Sequence, residues 1–195
     1  MKKTVYMMRH GQTLFNVRRK VQGWCDSPLT KQGIWQAQGA GNYFKQQGIE
    51  FTDAYSSTSN RACDTLELIS GIAYKRMHGL REWNFGLFEG ESEDLNPALP
   101  YKDFFVQYGG EDEMELRKRI VDTLADIMKQ AIGDTILVVS HGASCRQFMR
   151  AWEHTSNIEQ NQPLKNCCIL KFEYEQDIFK LVEVINHNFE EEKGC

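Results

Sequence analysis

The sequence predicts an α/β/α sandwich, in which helices cover both faces of a mostly parallel sheet that has one antiparallel edge strand. Three observations lead to this prediction. Short apolar runs alternate along the chain with longer segments of helical periodicity. The run TILVV at 135–139 is typical of a strand that is buried on both faces. The segment CCILKFEYEQDIFKLVEVI at 167–185 predicts two strands that pair antiparallel through a polar turn at Gln176 and Asp177.

The first half of the chain predicts three strands and two helices. The strands are expected at 4–8, 53–57 and 74–78. Thr30 is the expected N-cap of the first helix, and Ser59 or Asn60 is the expected N-cap of the second. The inward faces carry apolar residues at helical spacing, namely Ile34, Ala37, Gly41 and Phe44 in the first helix and Ala62, Cys63, Leu66 and Ile69 in the second.

The second half predicts two further helices around the strand TILVV. One helix is expected to begin near Glu111 and to end near Gly133, with Val121, Leu124, Met128 and Ala131 on its buried side. His141 stands directly after the strand. The last helix carries its apolar residues at i, i+3, i+4 and i+7, namely Cys145, Phe148, Met149 and Trp152.

Length and composition predict one domain over residues 1–195. The chain is 41% hydrophobic, enough to bury a core, and the irregular segment 83–112 is expected to form a lid-like insertion. A formal net charge of -4 provides no overall basic field for nucleic acid or for an anionic membrane. No apolar run reaches the length of a signal-peptide core or a membrane span, so a cytoplasmic location is expected.

The cysteines and the chain end carry weaker signals. The six cysteines include no CxxC pair and are expected to be reduced thiols that hold no metal. The acidic end EEEKGC at 190–195 is expected to be frayed. The sequence leaves the oligomeric state open, with a homodimer as one alternative.

Two histidines and two arginines are expected to converge on one anion site. Arg9, His10 and His141 all follow strand ends, and ligands collect at the carboxyl ends of parallel strands. Arg61 falls in the first turn of a helix, whose free N–H groups favour an anion. The overall acidity of the chain makes such a site a local feature.

These residue types suit the transfer of a phosphoryl group. Arg9 and Arg61 can each donate two parallel hydrogen bonds to phosphate oxygens. An unprotonated imidazole can attack phosphorus to form a phosphohistidine, and a second imidazole can stabilise the charge of the transition state. The spacing of the residues does not tell which histidine attacks. Glu82 or Glu89, in LREWNFGLFEGE, is the candidate proton donor for the leaving group, and the scheme needs no metal.

Five segments occur in an order that resembles the phosphoglycerate mutase-like branch of the histidine phosphatase superfamily. They are RHGQTLFN, QGWCDSPLTKQG, SSTSNRACDT, LREWNFGLFEG and VVSHGASCRQFM. The resemblance implies a three-layer fold, His10 as the nucleophile and Glu82 as the proton donor. It implies a phosphate pocket completed by Arg9, Arg61, His141 and Asn16. The same segments suggest further substrate-binding positions at Gln22, Gly23, Glu89, Gly142 and Ala143.

A phosphatase of small phosphate esters is the favoured activity, and a cofactor-dependent phosphoglycerate mutase is the alternative. Residues 83–112 hold seven acidic side chains and one lysine, which predicts repulsion of a doubly phosphorylated glycerate. The resemblance implies that mutases carry a basic residue and an asparagine where this chain has Trp83 and Ala143. No cofactor is expected, apart from a bisphosphoglycerate primer if the protein is a mutase. A non-catalytic phosphate-binding module is the third reading.

The aromatic residues of 83–112 have two interpretations. They form either a small satellite core or an apolar wall over the substrate.

Overall fold

The computed structural model describes residues 2–187, in which helices flank a six-stranded sheet. The strands are β1 Lys3–Arg9, β2 Asp53–Ser57, β3 Lys75–Met77, β4 Thr135–Ser140, β5 Ile169–Glu175 and β6 Ile178–Ile185. The helices are α1 Leu14–Val17, α2 Lys31–Gln46, α3 Asn60–Ile69, α4 Glu113–Gln130 and α5 Gly142–Ala151. The order across the sheet is β3, β2, β4, β1, β5, β6.

The pairing of the strands confirms the predicted fold class. The neighbours β3–β2, β2–β4 and β4–β1 are parallel, whereas β5 is antiparallel to both β1 and β6. The antiparallel strand therefore lies one position in from the edge, which β6 occupies. Gln176 and Asp177 form the turn between these strands, with φ of 52° and 61°. Such left-handed angles match the twist of a two-residue hairpin turn.

Side chains of the central strands alternate between two separate cores. Val5 and Met7 of β1 pack with residues of α4 and α5, whereas Tyr6 and Met8 pack with residues of α2 and α3. The period of two residues along a strand sends successive side chains to opposite faces. The central sheet thus separates two helical layers, which confirms the predicted α/β/α arrangement.

The predicted start of α2 is correct, but one residue of its predicted buried face is wrong. Thr30 Oγ1 accepts a hydrogen bond from Gly33 N at 3.0 Å, as an N-cap does. Ile34 is 39% exposed, whereas Gly33 is buried. A Cβ at position 33 would collide with the carbonyl of Gln12, so a glycine lets the helix approach the loop that follows β1.

Of the two other helix starts, that of α3 agrees with the prediction, whereas α4 begins at Glu113 instead of near Glu111. Ser59 is the N-cap of α3, yet its side chain makes no capping bond, and Asp26 accepts the hydrogen bond from Asn60 N instead. Asp112 caps α4 through a capping box with Glu115. The buried face of α4 is formed by Leu116, Ile120, Leu124, Ile127 and Met128, and Val121, which is half-buried, packs against the same core.

The segment 83–112 contains three single-turn 3₁₀ helices. Its aromatic residues form a third core, in which Trp83, Phe85 and Phe105 pack against Val21 and Leu116.

None of the helices in the described part of the chain combines the length and apolarity of a bilayer span. The acidic end at 190–195 lies outside the described residues.

Candidate active site

A cavity of about 590 Å³ opens where the central parallel strands β1 and β4 end side by side. Seven of the eleven predicted site residues line it, namely Arg9, His10, Asn16, Gln22, Glu82, Gly142 and Ala143. His10 follows β1 and His141 follows β4, and the two imidazole rings lie 5.2 Å apart between centroids. The strand register thus brings together two histidines that are 131 positions apart in the chain.

The hydrogen bonds of His10 define the form of its imidazole. Nδ1 lies 2.7 Å from the carbonyl oxygen of Gly11, which can only accept, so Nδ1 carries the hydrogen. Nε2 then holds the lone pair, and it accepts a hydrogen bond from Arg61 Nε at 3.3 Å. This lone pair is the one that attack on phosphorus requires.

Both imidazoles are held in the neutral state. Burial, and then the positive charges of Arg61 and Arg9, keep the pKa of His10 well below its usual value of 6.5. Burial, followed by the charge of Arg61, lowers the pKa of His141 in the same way. His141 is 0% exposed, and its Nε2 lies 2.8 Å from Ser57 Oγ.

Acid should destabilise the fold through these two imidazoles. Unfolded, each histidine binds a proton near pH 6.5, whereas the folded protein holds both neutral at that pH. The unfolded state therefore binds more protons below pH 6.5, and the stabilisation present above that pH is lost as the pH falls. Each histidine should lower the free energy of unfolding by up to about 1.4 kcal/mol per pH unit. Urea unfolding between pH 7.5 and pH 5 measures this slope.

The contribution of His10 to this pH slope can be separated from that of the other titratable groups. His10→Gln should make the slope shallower, whereas His154→Gln, at an exposed position, should leave it unchanged. Equal slopes in the wild type and both variants would contradict a buried, neutral His10.

Arg61 is fully buried and is held by loop oxygens. Its Nη1 donates to Cys25 O at 2.9 Å and to Asp26 Oδ1 at 3.0 Å, and its Nη2 donates to Gly23 O at 2.8 Å. Because Nε donates to His10 Nε2, the second hydrogen of Nη2 is the donor left to bind a phosphate beside His10. The carbonyls of Gly23 and Cys25 and the carboxylate of Asp26 thus position the guanidinium.

Arg9 projects into the cavity from the end of β1. Its Nη1 donates to Leu164 O at 2.7 Å, which anchors one end of the guanidinium. Its Nε is buried and has no hydrogen-bond partner among the described residues. A buried donor without a partner is costly, and an anion in the cavity would satisfy it.

Glu82 lies at the N-terminus of α5. Oε1 accepts hydrogen bonds from Trp83 N, Ser144 N and Ser144 Oγ, at 2.9, 3.0 and 3.3 Å. Oε2 accepts one, from Ala143 N at 2.9 Å, and so keeps a lone pair available. Arg119 donates to the carbonyls of Gly79, Arg81 and Glu82 and fixes the loop that carries this carboxylate.

Two of the predicted substrate-binding residues support loops instead of lining the cavity. Glu89 accepts hydrogen bonds from the backbone N–H groups of Trp24, Cys25 and Phe85, so its carboxylate is occupied. A Cβ at Gly23 would collide with the carboxylate of Glu89 and the carbonyl of Trp83. Glycine is therefore needed at position 23 for close packing. Both residues shape the loop whose carbonyls hold Arg61.

Asn16 and Gln22 line the cavity, with the amide oxygen of Asn16 and both polar groups of Gln22 already engaged. Asn16 Oδ1 accepts from Thr13 N at 3.0 Å and from Asn166 Nδ2 at 3.2 Å, which leaves the Asn16 amide N–H groups for a ligand. Gln22 Oε1 accepts from Thr13 Oγ1 at 2.7 Å, and Gln22 Nε2 donates to Ser27 Oγ. Gly142 and Ala143 add the backbone at the start of α5.

Three supporting residues were not singled out from the sequence. Asn166 donates to His10 O at 3.1 Å, Ser57 contacts His141, and Asp26 contacts Arg61. The position of Ser57 at the carboxyl end of β2 was a usable signal, because that end meets the ends of β1 and β4. Asn166 had no such signal, since it precedes β5 and reaches the site only through antiparallel pairing.

A neutral imidazole in contact with one guanidinium group, with a second guanidinium in the same cavity at the carboxyl end of a parallel sheet, defines a protein that handles phosphate esters. The chain belongs to the histidine phosphatase superfamily (branch 1), whose family model matches residues 5–187. This membership supports enzyme activity over the non-catalytic module.

Relatives named as phosphatases and as mutases are both similar to this chain. A probable phosphoglycerate mutase GpmB of Yersinia pestis (strain Pestoides F) is 31% identical over 185 residues, covering 88% of this chain and 85% of that protein. A phosphoglycerate mutase from Bacillus anthracis str. Sterne has a TM-score of 0.79 at 27% identity, covering 93% of this chain and 92% of that chain. A phosphoserine phosphatase from Entamoeba histolytica, solved with 3-phosphoglyceric acid, has a TM-score of 0.77 at 28% identity, covering 94% of this chain and 97% of that chain.

Proposed function

We propose that the protein is a phosphatase that hydrolyses small phosphorylated metabolites through a phosphohistidine on Nε2 of His10. The observation that carries this proposal is the bond from Nδ1 to Gly11 O, which leaves the Nε2 lone pair beside Arg61 in a cavity. Family membership supports the same chemistry.

In the first step, Nε2 attacks phosphorus while the bond to the leaving oxygen breaks. Arg9 and Arg61 donate to the phosphoryl oxygens and stabilise their charge in the transition state. His141 lies close enough to His10 to contact the same phosphoryl group. Glu82 passes a proton from Oε2 to the leaving oxygen, which departs as an alcohol.

In the second step, water attacks the phosphohistidine. The Glu82 carboxylate takes the proton of this water as the bond between phosphorus and Nε2 breaks, which restores both residues. The proposed cycle uses no metal and no cofactor. A bisphosphoglycerate primer would enter only in a mutase, which must begin as the phosphoenzyme.

The charge of the lid does not act as the sequence suggested. Of the seven acidic residues in 83–112, only Glu93 lines the cavity. The others include Glu89, which binds backbone, Asp94, which pairs with Arg19, and Glu111, which pairs with Arg119. Repulsion of a doubly charged substrate by this segment is therefore weaker than its composition implies.

A different feature of the lid supports a phosphatase over a mutase. The lid residues that line the cavity are Phe85, Glu93, Asn96, Pro97, Leu99 and Tyr101, none of which is basic. A mutase has to hold a second phosphate while its intermediate reorients, and this lid supplies no cation for that purpose.

The aromatic residues of the lid have both of the roles considered from the sequence. Phe85 belongs to the aromatic core and Tyr101 packs against it, and both residues also line the cavity.

Mutase activity is the second candidate, and one observation favours it. Lys20 and Arg19 line the cavity beside the lid, and Lys20 makes no ion pair among the described residues. This lysine could bind the carboxylate or second phosphate of a glycerate, and two of the similar proteins are named phosphoglycerate mutases.

The cytoplasmic location of the protein stays a prediction, and the choice between a monomer and a homodimer stays open.

The fate of 3-phosphoglycerate distinguishes the two activities. The protein should be incubated in EDTA buffer with this substrate, with and without catalytic 2,3-bisphosphoglycerate, while free phosphate and 2-phosphoglycerate are measured. A phosphatase should release phosphate from this ester, or from others in a panel of phosphorylated sugars, acids and nucleotides, with little dependence on the primer. Rapid primer-dependent isomerisation with little free phosphate would identify a mutase instead.

A further inference from the structure

A second cavity, of about 740 Å³, adjoins the catalytic one. Leu99 lines both cavities, so this lid residue stands between them. The second cavity is lined by three arginines, Arg117, Arg146 and Arg150, together with Glu153 and Gln160. Neither the phosphoryl-transfer scheme nor the motifs in the sequence assign a role to this space.

The arginines leave an excess of positive charge. Arg117 and Arg150 share one carboxylate, Glu113, whose Oε1 lies 3.1 Å from a guanidinium nitrogen of each. Arg146 makes no ion pair among the described residues, and its donors meet the carbonyls of Gln160 and Gln162. Burial, and then the charge of Arg150, lower the pKa of Arg146, in keeping with crowded cations.

Gln160 provides an independent observation at the same place. It is 7% exposed, and neither Nε2 nor Oε1 of its buried amide has a hydrogen-bond partner among the described residues. Buried polar groups are rarely left unpaired, because the cost is not recovered elsewhere. A polar ligand in the cavity would satisfy the Nε2 donor.

Helix α5 connects the two cavities. Ala143 lines the catalytic cavity, and Arg146 and Arg150 follow it at i+3 and i+7, so all three lie on one face of the helix. The rise of an α-helix places the two arginines roughly 5 Å and 10 Å beyond Ala143. A substrate whose phosphate lies at His10 can therefore extend over Leu99 along this face.

We propose that the second cavity binds a remote anionic group of the substrate, a carboxylate or a second phosphate, while the ester phosphate lies at His10. This inference rests on the proposed function and narrows its substrate class to elongated phosphate esters with a negative charge at the far end. Arg150 and Arg146 would supply charged donors and Gln160 a neutral one. Glu153, at the rim, limits the excess charge and so favours a single anionic group.

Matched substrates test the proposal. Linear alkyl monophosphates of increasing length should be compared in pairs that end in either a methyl or a carboxylate group. At lengths that span Leu99, the carboxylate should raise kcat/KM at least about tenfold over the methyl partner, since bonds to charged groups contribute that much. Shorter pairs should show no such preference.

Variants assign the preference to the cavity. Arg150→Gln should abolish the preference for the carboxylate while leaving kcat/KM for the methyl-ended esters unchanged. Retained turnover of those esters also reports that the variant is folded. Lys129→Gln, on the exposed surface of α4, is the matched control and should keep the full preference.

The outcomes separate the two proposals. Hydrolysis of every ester without a carboxylate preference at any length would overturn the second cavity's role and leave the proposed phosphatase standing. Failure to hydrolyse any ester would overturn both. If free butyrate alters hydrolysis of the methyl-ended esters in the wild type but not in Arg150→Gln, and tethered carboxylates give no preference, the cavity binds a separate anion and the proposal is wrong.

Discussion

His10→Gln should reduce turnover of any phosphate ester by at least about 10⁴-fold, because removing a nucleophile removes the two-step route itself. The glutamine amide can still accept from Arg61 but cannot attack phosphorus. The variant should also fail to form an acid-labile phosphoenzyme after rapid quenching with a ³²P-labelled substrate. Turnover and labelling together measure the loss.

A matched histidine controls for general effects of the substitution. His154 is exposed on the turn after α5, and His154→Gln should keep wild-type turnover and labelling. Thermal unfolding at pH 7.5 should show that His10→Gln is folded. Persistent labelling of the folded His10→Gln protein would place the nucleophile on another residue.

Glu82→Gln should slow hydrolysis by about 10²-fold or more for alkyl phosphates and much less for aryl phosphates. An alkoxide leaves slowly without a proton, whereas 4-nitrophenolate is stable enough to leave unprotonated. The measurement is kcat/KM for a series of esters whose leaving groups differ in pKa. The slope of log kcat/KM against leaving-group pKa should be steeper in the variant than in the wild type.

Glu89→Gln is the control for this prediction, because Glu89 also accepts backbone hydrogen bonds but lies outside the cavity. It should disturb the loop that holds Arg61 and lower kcat/KM by a similar factor for every ester. Parallel slopes in Glu82→Gln and the wild type would show that Glu82 is not the proton donor.

Local sequence patterns predicted most of the helices and strands, and the predictions that were wrong have physical causes. Asp53–Ser57 matches the strand that was predicted at the same residues. Ile34 was assigned to a buried face by periodicity alone. Its exposure depends on how α2 approaches the neighbouring chain, as the contact of Gly33 with Gln12 shows. The cap of α3 comes from Asp26, a residue 34 positions away, which no local pattern reveals.

The meeting of residues that follow parallel strands was predicted from the sequence, whereas the supporting residues were not. Strand order decides which carboxyl ends meet, and the placement of His10 and His141 after β1 and β4 needed little more. Their tautomers, by contrast, depend on neighbours such as Gly11 O and Ser57 Oγ, whose positions follow from the folded backbone.

By itself, the sequence determined the fold class, the element order and the residues that meet at the strand ends. Such information is local, because hydrophobic period and strand direction are written in neighbouring residues. Only the tertiary structure showed that Glu82, and not Glu89, lines the cavity, and that Glu93 is the one lid carboxylate among the described residues that lines it. Only the tertiary structure revealed the arginine-lined cavity beyond Leu99. These features depend on hydrogen bonds and ion pairs between distant segments, for which composition and spacing carry no signal.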